Sequence, residues 1–345
     1  MQKDKRAVLK LGRVLLPVLA LVFVAGGIGL YYQQKNIPGV EEIVDEIVST
    51  NPDAVVSIGI WQDGQEEKYS YTAEGRKESV LYRYQIGSIT KTFTGAMLAY
   101  EEAGKSVDLS EGKPSLEQLV THRSGLADQW EQELALDPGR SFGREELYAL
   151  AEALSQNGAD FRYSNLGSAV AGTRAAEIYG RINGMEDCSY QEAMSHFIRN
   201  VLELKSTEVG GEGDFSHNWE WQEHDEMMAA GAITSDVPDL LKYGQLYLDN
   251  GEEKSYLRRT VTSRAKVDED YDIGMFWMID RENDVIWHNG ELAMDGEDGR
   301  EVGYQSFLGI SPKRRKIVVV LSNVIAERRD GTACTDLLGY LLMEE

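Results

Sequence analysis

Residues able to supply a nucleophile and a base stand close together at Ser88-Ile89-Thr90-Lys91. A serine hydroxyl reacts poorly until a neighbouring base takes its proton. A lysine becomes such a base when burial lowers its pKa, and residues three apart on a helix lie about one turn from each other. The spacing therefore predicts that Ser88 is a nucleophile and that Lys91 is its base.

The context of this tetrapeptide distinguishes it from two further matches, at residues 110–113 and 263–266. An apolar extended run at 81–86 precedes it, Gly87 permits a sharp turn, and a helical apolar stripe follows. Ser88 is thus expected at a helix N-terminus, where free backbone N–H groups stabilise developing negative charge. The alternative interpretation is that Ser88 merely caps this helix.

Two later tripeptides complete an ordered set, Tyr163-Ser164-Asn165 and His288-Asn289-Gly290. The order Ser-x-x-Lys, Tyr-x-Asn and basic residue-x-Gly resembles the penicillin-recognising serine hydrolases. The chain is most similar to their branch of class C β-lactamases and D-Ala-D-Ala carboxypeptidases, which includes D-aminopeptidases and esterases. Stretches 119–126, 230–240 and 318–323 support the resemblance, which covers about residues 40–343.

The resemblance implies a role for each matching catalytic residue. Ser88 would be acylated, Lys91 would accept the hydroxyl proton, and Tyr163 would relay protons as a phenol with phenolate character. Asn165 would hold Lys91 and donate to the amide carbonyl of the substrate.

The same resemblance implies a substrate-binding strand that carries the third motif. His288 would line the cleft opposite Tyr163, Asn289 belongs to the same binding motif, and Gly290 would let the substrate backbone lie against the strand. The backbone N–H groups of Ser88 and Glu291 would form the oxyanion hole, in which each donor contributes about 3 kcal/mol.

One departure from the β-lactamase pattern concerns charge. β-Lactamases usually have Lys-Thr-Gly as the third motif, and that lysine is a permanent cation for a carboxylate. His288 is mostly neutral at pH 7, which argues against strong β-lactamase activity and favours peptidase or esterase chemistry. A non-hydrolytic penicillin-binding sensor or an inert scaffold is the alternative to an enzyme.

Charge and composition narrow the partners further. The first 35 residues have six cations and one anion, a net of +5, so the remaining 310 carry −23 − 5 = −28. Such a strongly acidic protein repels phosphate backbones, which argues against nucleic-acid binding.

Cys188 and Cys334 lack metal-site spacing and form no disulfide framework, although one bridge between them is an open alternative. His217 and His224 match no familiar metal pattern, so the sequence predicts no metal and no cofactor. The expected partner is a small molecule or peptide, such as a peptidoglycan-type peptide or a β-lactam.

The N-terminal region predicts a membrane anchor. Residues 14–32 contain no charged side chain and just span a hydrocarbon core of roughly 30 Å. Residues 1–13 are basic and would stay in the cytoplasm, which would place the catalytic body outside the cell membrane. A cleavable signal peptide is the alternative and would give a secreted protein.

The rest of the chain predicts an α+β fold. Residues 33–53 form a tether and an amphipathic helix, and residues 54–343 form the catalytic domain. Strand patterns occupy about 54–87 and 265–343, with helical patterns at about 100–260 between them. We therefore expect an antiparallel sheet built from both chain ends and flanked by helices, with an inserted all-α domain. The resemblance makes this a β-lactamase/transpeptidase-like fold.

Overall fold

A computed structural model of the protein describes most of the chain beyond the predicted anchor. The described residues are 38–78, 82–126, 142–156, 158–185, 187–223, 225–248, 255–296 and 301–345. The predicted basic segment 1–13 and the predicted span 14–32 lie outside them.

Nine of the strands in the described ranges form one antiparallel sheet, in the order β3-β2-β1-β12-β11-β10-β9-β8-β7. The strands from the first part of the chain are β1 (Val56–Gln62), β2 (Gln65–Thr72) and β3 (Gly75–Glu78). Those from the last part are β7 (Ala265–Lys266), β8 (Tyr271–Ile273), β9 (Met278–Asp280), β10 (Val285–Asp295), β11 (Glu301–Ser311) and β12 (Lys316–Ser322). Pairing of β1 with β12 joins the two chain ends. The predicted α+β fold with a sheet built from both ends is confirmed.

Helices fill the middle of the chain. They are α2 (Thr90–Ala103), α3 (Leu116–Val120), α4 (Arg144–Leu154), α5 (Asn165–Asn183), α6 (Tyr190–Phe197), α7 (Met228–Gly231), α8 (Val237–Leu248) and α9 (Leu257–Thr260). A π-helical turn, Ile198–Leu202, extends α6. A small second sheet, in the order β4-β6-β5, contains β4 (Tyr84–Gln85), β5 (Glu208–Val209) and β6 (Ile233–Ser235).

The large sheet has an apolar core on each face. On one face, α1 (Val40–Val48) and α10 (Cys334–Glu344) pack against each other and cover the central strands. On the other face, α8 packs on β1 and β12 and connects the sheet to the helical block. Both cysteines are buried and free, so Cys188 and Cys334 form no bridge.

The predicted transmembrane helix and single-pass membrane localisation are corrected by the structure. No helix in the described part of the chain is long and apolar enough to cross a bilayer. Helix α5 has 19 residues, about the length of a span, but it carries Arg174, Glu177 and Arg181.

Candidate active site

Ser88 and Lys91 meet where the small sheet leads into the helical block. Ser88 lies in a single 3₁₀ turn, Gly87–Ile89, which continues into α2. Gly87 has a φ of +51°, a left-handed conformation that glycine adopts without strain. Lys91 Nζ lies 2.8 Å from Ser88 Oγ. Ser88 does not cap α2, because Ile89 is the N-cap residue.

The environment of Lys91 suits a base rather than a cation. The side chain is completely buried, while Ser88 is partly exposed. This burial lowers the pKa of Lys91 well below its ordinary value, because the charged ammonium loses its hydration. Nζ donates a 2.6 Å hydrogen bond to the carbonyl of Ala230 in α7. A neutral amine held in this way keeps its lone pair for the Ser88 proton.

The predicted contact of Asn165 with Lys91 stays a prediction, and the structure adds Ala230 as a partner of Lys91. Asn165 is the first residue of α5, and the structure describes no hydrogen bond between its side chain and Lys91. The contribution of Ala230 went unrecognised, although stretch 230–240 had been singled out, because a backbone carbonyl has no side-chain signature.

Tyr163 lies beside Ser88 and Lys91, in the loop before α5. Lys91 Nζ lies 4.8 Å from the centre of its ring, and the phenol is almost fully buried. Burial raises the pKa of Tyr163, and the nearby Ser88 hydroxyl offsets only part of this rise. Tyr163 is therefore a neutral phenol in this state. Its hydroxyl has no hydrogen-bond partner of normal geometry among the described residues.

Strand β10 forms the opposite wall. Strand β9 pairs with β10 only over Val285–Trp287, and no described strand covers its outer edge beyond that point. The 3₁₀ turn that holds Ser88 contacts β10 instead. The His288 ring centre lies 6.3 Å from that of Tyr163, so the second and third motifs face each other.

Glycines allow the backbones of β10 and the 3₁₀ turn to touch. A Cβ on Gly290 would lie 2.0 Å from Ile86 O and 2.9 Å from Ser88 N. A Cβ on Gly87 would lie 2.7 Å from Glu291 N. The backbone amides of Ser88 and Glu291, which form the predicted oxyanion hole, thus both lie where β10 touches the 3₁₀ turn.

Alternation along β10 divides the third motif between two faces. His288 and Gly290 face Tyr163 and the 3₁₀ turn, whereas Asn289 Nδ2 donates 2.7 Å to Asp336 Oδ2 of α10 on the far side. Glu291 also turns away, and its carboxylate accepts a 2.9 Å hydrogen bond from Gln305. Substrate binding by Asn289 and Glu291 stays a prediction that now rests on their backbone.

The charge of the two acids behind β10 depends on burial. Burial raises the pKa of Asp336 to about 8, and the hydrogen bond from Asn289 opposes the rise. Burial likewise raises the pKa of Glu291 to about 7, against the hydrogen bond from Gln305. Across the described residues, no group of three His, Cys, Asp or Glu side chains is arranged to hold a metal ion.

Comparisons with known proteins identify the fold as that of the β-lactamases and penicillin-binding serine hydrolases. The sequence model of the Beta-lactamase family matches residues 44–339. The chain therefore belongs to the β-lactamase family. No curated protein matches the sequence.

Solved structures agree on the fold at low sequence identity. A class C β-lactamase from Rhodobacter sphaeroides matches with a TM-score of 0.66 at 17% identity, over 88% of this chain and 98% of that one. A β-lactamase/D-alanine carboxypeptidase from Pseudomonas syringae gives 0.65 at 15% identity, over 89% and 98%. The octameric penicillin-binding protein homologue from Pyrococcus abyssi gives 0.65 at 21%, over 88% and 76%.

Proposed function

We propose that this chain is a serine hydrolase that forms an acyl-enzyme on Ser88 and then transfers the acyl group to water. The observation that carries the proposal is the 2.8 Å contact between Ser88 Oγ and Nζ of the fully buried Lys91. Because burial lowers the pKa of Lys91, the neutral amine is available to accept the hydroxyl proton.

The reaction proceeds in two displacements. Ser88 Oγ attacks the substrate carbonyl carbon as its proton passes to Lys91, and the carbonyl oxygen becomes an oxyanion near the Ser88 and Glu291 amides. Tyr163 donates its hydroxyl proton to the departing nitrogen or oxygen and regains a proton from Lys91, and the carbonyl–leaving group bond breaks. Water then attacks the ester carbonyl carbon on Ser88 as its proton passes to the neutral Lys91. That proton returns to Ser88 Oγ as the bond between the acyl carbon and Oγ breaks, which restores the hydroxyl and releases the acid.

Peptides, amides and esters are the proposed substrates, among them cell-wall peptides that end in D-amino acids, with weak β-lactam hydrolysis. This class is supported by two structural neighbours, a β-lactamase/D-alanine carboxypeptidase and a class C β-lactamase bound to cefoxitin. Those activities are properties of the neighbours, and they enter here as the proposed range for this chain.

His288 favours the esterase or D-aminopeptidase alternative within that range. Its Nδ1 donates a 2.5 Å hydrogen bond to the carbonyl of Asn289, which leaves Nε2 as an acceptor. Burial, with a further contribution from Lys91, lowers the pKa of His288 to about 3, so the ring is neutral. A neutral acceptor does not stabilise a substrate carboxylate, whereas it accepts a hydrogen bond from an N–H or O–H group.

Turnover of three substrates tests the proposal. Wild type, Ser88→Ala and Ser263→Ala are compared on a p-nitrophenyl ester, a peptide ending in D-Ala-D-Ala and a penicillin. Ser263 is a matched control, because it also precedes a lysine by three residues but is exposed and donates to Asp272. We expect hydrolysis by wild type and Ser263→Ala, fastest on the ester, and none by Ser88→Ala.

The outcomes separate the alternatives. Full activity of Ser88→Ala contradicts the proposal. A persistent penicillin adduct on the wild type without turnover of any substrate indicates a penicillin-binding sensor. Neither turnover nor an adduct, on folded protein, indicates a non-catalytic scaffold.

A further inference from the structure

His122 contacts the chain on both sides of Tyr163. Its carbonyl oxygen accepts a 2.8 Å hydrogen bond from the backbone N–H of Arg162. Its Nδ1 accepts a 3.1 Å hydrogen bond from the backbone N–H of Ser164. The imidazole also lies against the phenol of Tyr163, with ring centres 4.4 Å apart. One residue therefore fixes both the backbone and the ring of the proposed proton relay.

The surroundings hold His122 in an unusual conformation. Its φ is +54°, a left-handed value in which histidine, asparagine and aspartate are enriched among non-glycine residues. Its backbone N–H donates 3.1 Å to Leu119 O, and its ring packs against Phe161 and Phe276. Backbone strain of this kind persists only where neighbouring contacts determine it, and it clusters at functional sites.

The hydrogen bond from Ser164 also fixes the protonation of the ring. Since a backbone N–H points at Nδ1, this nitrogen carries no proton, and the neutral ring bears its proton on Nε2. Burial lowers the pKa of His122 well below its usual value, because a charged imidazolium would lose its hydration. Nε2 is buried, with no hydrogen-bond partner in the described part of the chain. The ring therefore stays neutral and keeps its acceptor at Nδ1.

We propose that His122 is a positioning residue that holds the Tyr163 phenol at the Ser88–Lys91 pair. The inference rests on the proposed function, in which Tyr163 relays a proton to the leaving group. The alternative is that His122 only orders the loop before Ser124 and lies outside the site. If His122 only ordered this loop, His122→Ala would lower the stability of the fold without a selective effect on proton transfer.

A double-mutant cycle with Tyr163→Phe tests whether His122 acts through Tyr163. We expect His122→Ala to lower kcat for an amide substrate about 10–100-fold with little change in KM, because small misplacements of a reacting group are costly. In the Tyr163→Phe background the same substitution should have no further effect on kcat. Independent, additive losses in the two backgrounds would overturn the proposal.

Asparagine at position 122 provides a rescue variant. Its Oδ1 can take the place of Nδ1 as acceptor for Ser164, and asparagine tolerates a positive φ. His122→Asn should recover most of the activity that His122→Ala loses. An asparagine variant that is folded but as impaired as His122→Ala contradicts positioning. His196→Ala is the control, since it removes another histidine–tyrosine contact, with Tyr179, and should leave kcat unchanged.

A spectroscopic measurement on the wild type covers the case in which His122→Ala does not fold or no substrate is turned over. Nitrogen-15 NMR should show the His122 ring neutral, with the proton on Nε2, at pH 6.5, the ordinary pKa of histidine. A ring that titrates near its usual pKa, or that carries the proton on Nδ1, would overturn the proposal. If no substrate is turned over but the spectrum of His122 is as expected, the result counts against the proposed function and not against the placement of His122.

Discussion

Asn289 on β10 donates through Nδ2 to Asp336 Oδ2 on α10, across 2.7 Å. The acceptor is a fully buried carboxyl in the first turn of α10. This bond ties the strand that carries the third motif to a helix on the far face of the sheet. The proposed substrate-binding edge of β10 is therefore supported from the far face of the sheet by a group whose charge depends on pH.

Asp336→Asn should flatten the dependence of folding stability on pH. The pKa of Asp336 is about 8 in the folded protein, against about 3.9 for an unperturbed Asp. Between these values the folded state binds the extra proton, so stability is highest below the unfolded pKa and is lost as pH rises toward 8. The ionisation of this group lowers the free energy of unfolding by at most about 1.4 kcal/mol per pH unit.

Urea unfolding at pH 5 and pH 9 measures this effect. Asp336→Asn should be more stable than wild type at pH 9, with residual slope from Glu291, whose pKa is also raised. Asp53→Asn, at an exposed position, is the control. Parallel stability curves for Asp336→Asn and wild type would show that Asp336 is ionised in the folded protein.

Lys91→Arg should be as inactive as Lys91→Ala. If Lys91 is the base, its neutral form is required, and arginine cannot supply one because it stays protonated. We expect kcat/KM to fall about 10²–10⁴-fold in both variants. Substantial activity in Lys91→Arg would instead indicate that the site needs a cation.

The pH profile of the wild type tests the same role of Lys91. The lowered pKa of Lys91 predicts that kcat/KM rises with pH and reaches its plateau well below pH 10.5, the ordinary pKa of lysine. Initial-rate assays on the p-nitrophenyl ester at a series of pH values give the dependence of kcat/KM on pH. An activity that only begins to rise near pH 10 would contradict a desolvated base.

Tyr163→Phe should separate substrates by their leaving groups. An amide nitrogen must be protonated as it departs, while p-nitrophenolate leaves without a proton. Loss of the phenol should therefore lower kcat for an amide about 10²-fold and affect the activated ester by less than about tenfold. Equal losses on the two substrates would exclude a role in leaving-group protonation.

Gly290→Ala should damage both fold and activity. Its Cβ would lie 2.0 Å from Ile86 O and 2.6 Å from Ser306 Oγ, so β10 and the 3₁₀ turn must separate. Overpacking of this kind costs about 1–3 kcal/mol, and the separation moves the Ser88 and Glu291 amides apart. Gly143→Ala is a matched control, with nothing within 4 Å of the added Cβ. Melting temperature and ester turnover should fall only in Gly290→Ala.

Local sequence signals predicted much of the sheet. Asp-Gly is typical of a two-residue hairpin turn, and the structure pairs Gln62 with Gln65 around Asp63-Gly64. Prediction failed where an apolar run fits more than one structure. Within the predicted strand region 265–343, the apolar run 273–279 is divided between β8 and β9. Between these strands the backbone of Gly274 lies against Thr260, and Phe276 has a φ of +65°. A single sequence reveals neither the close approach nor the backbone angle.

The site was predictable where side-chain identity carries the chemistry. Ser88, Lys91, Tyr163 and His288 lie together as the motif spacing implied. The partner of Lys91 was not predictable, since a carbonyl such as that of Ala230 can belong to any residue.

Mass spectrometry of the acylated protein tests the central claim most directly. Residues 38–345 are incubated with a fluorophosphonate or a fluorescent penicillin, digested, and the modified peptide is sequenced. The account predicts one adduct per chain, on Ser88, that is absent from Ser88→Ala and unchanged in Ser110→Ala. An adduct on another residue, or labelling that persists in Ser88→Ala, would contradict it.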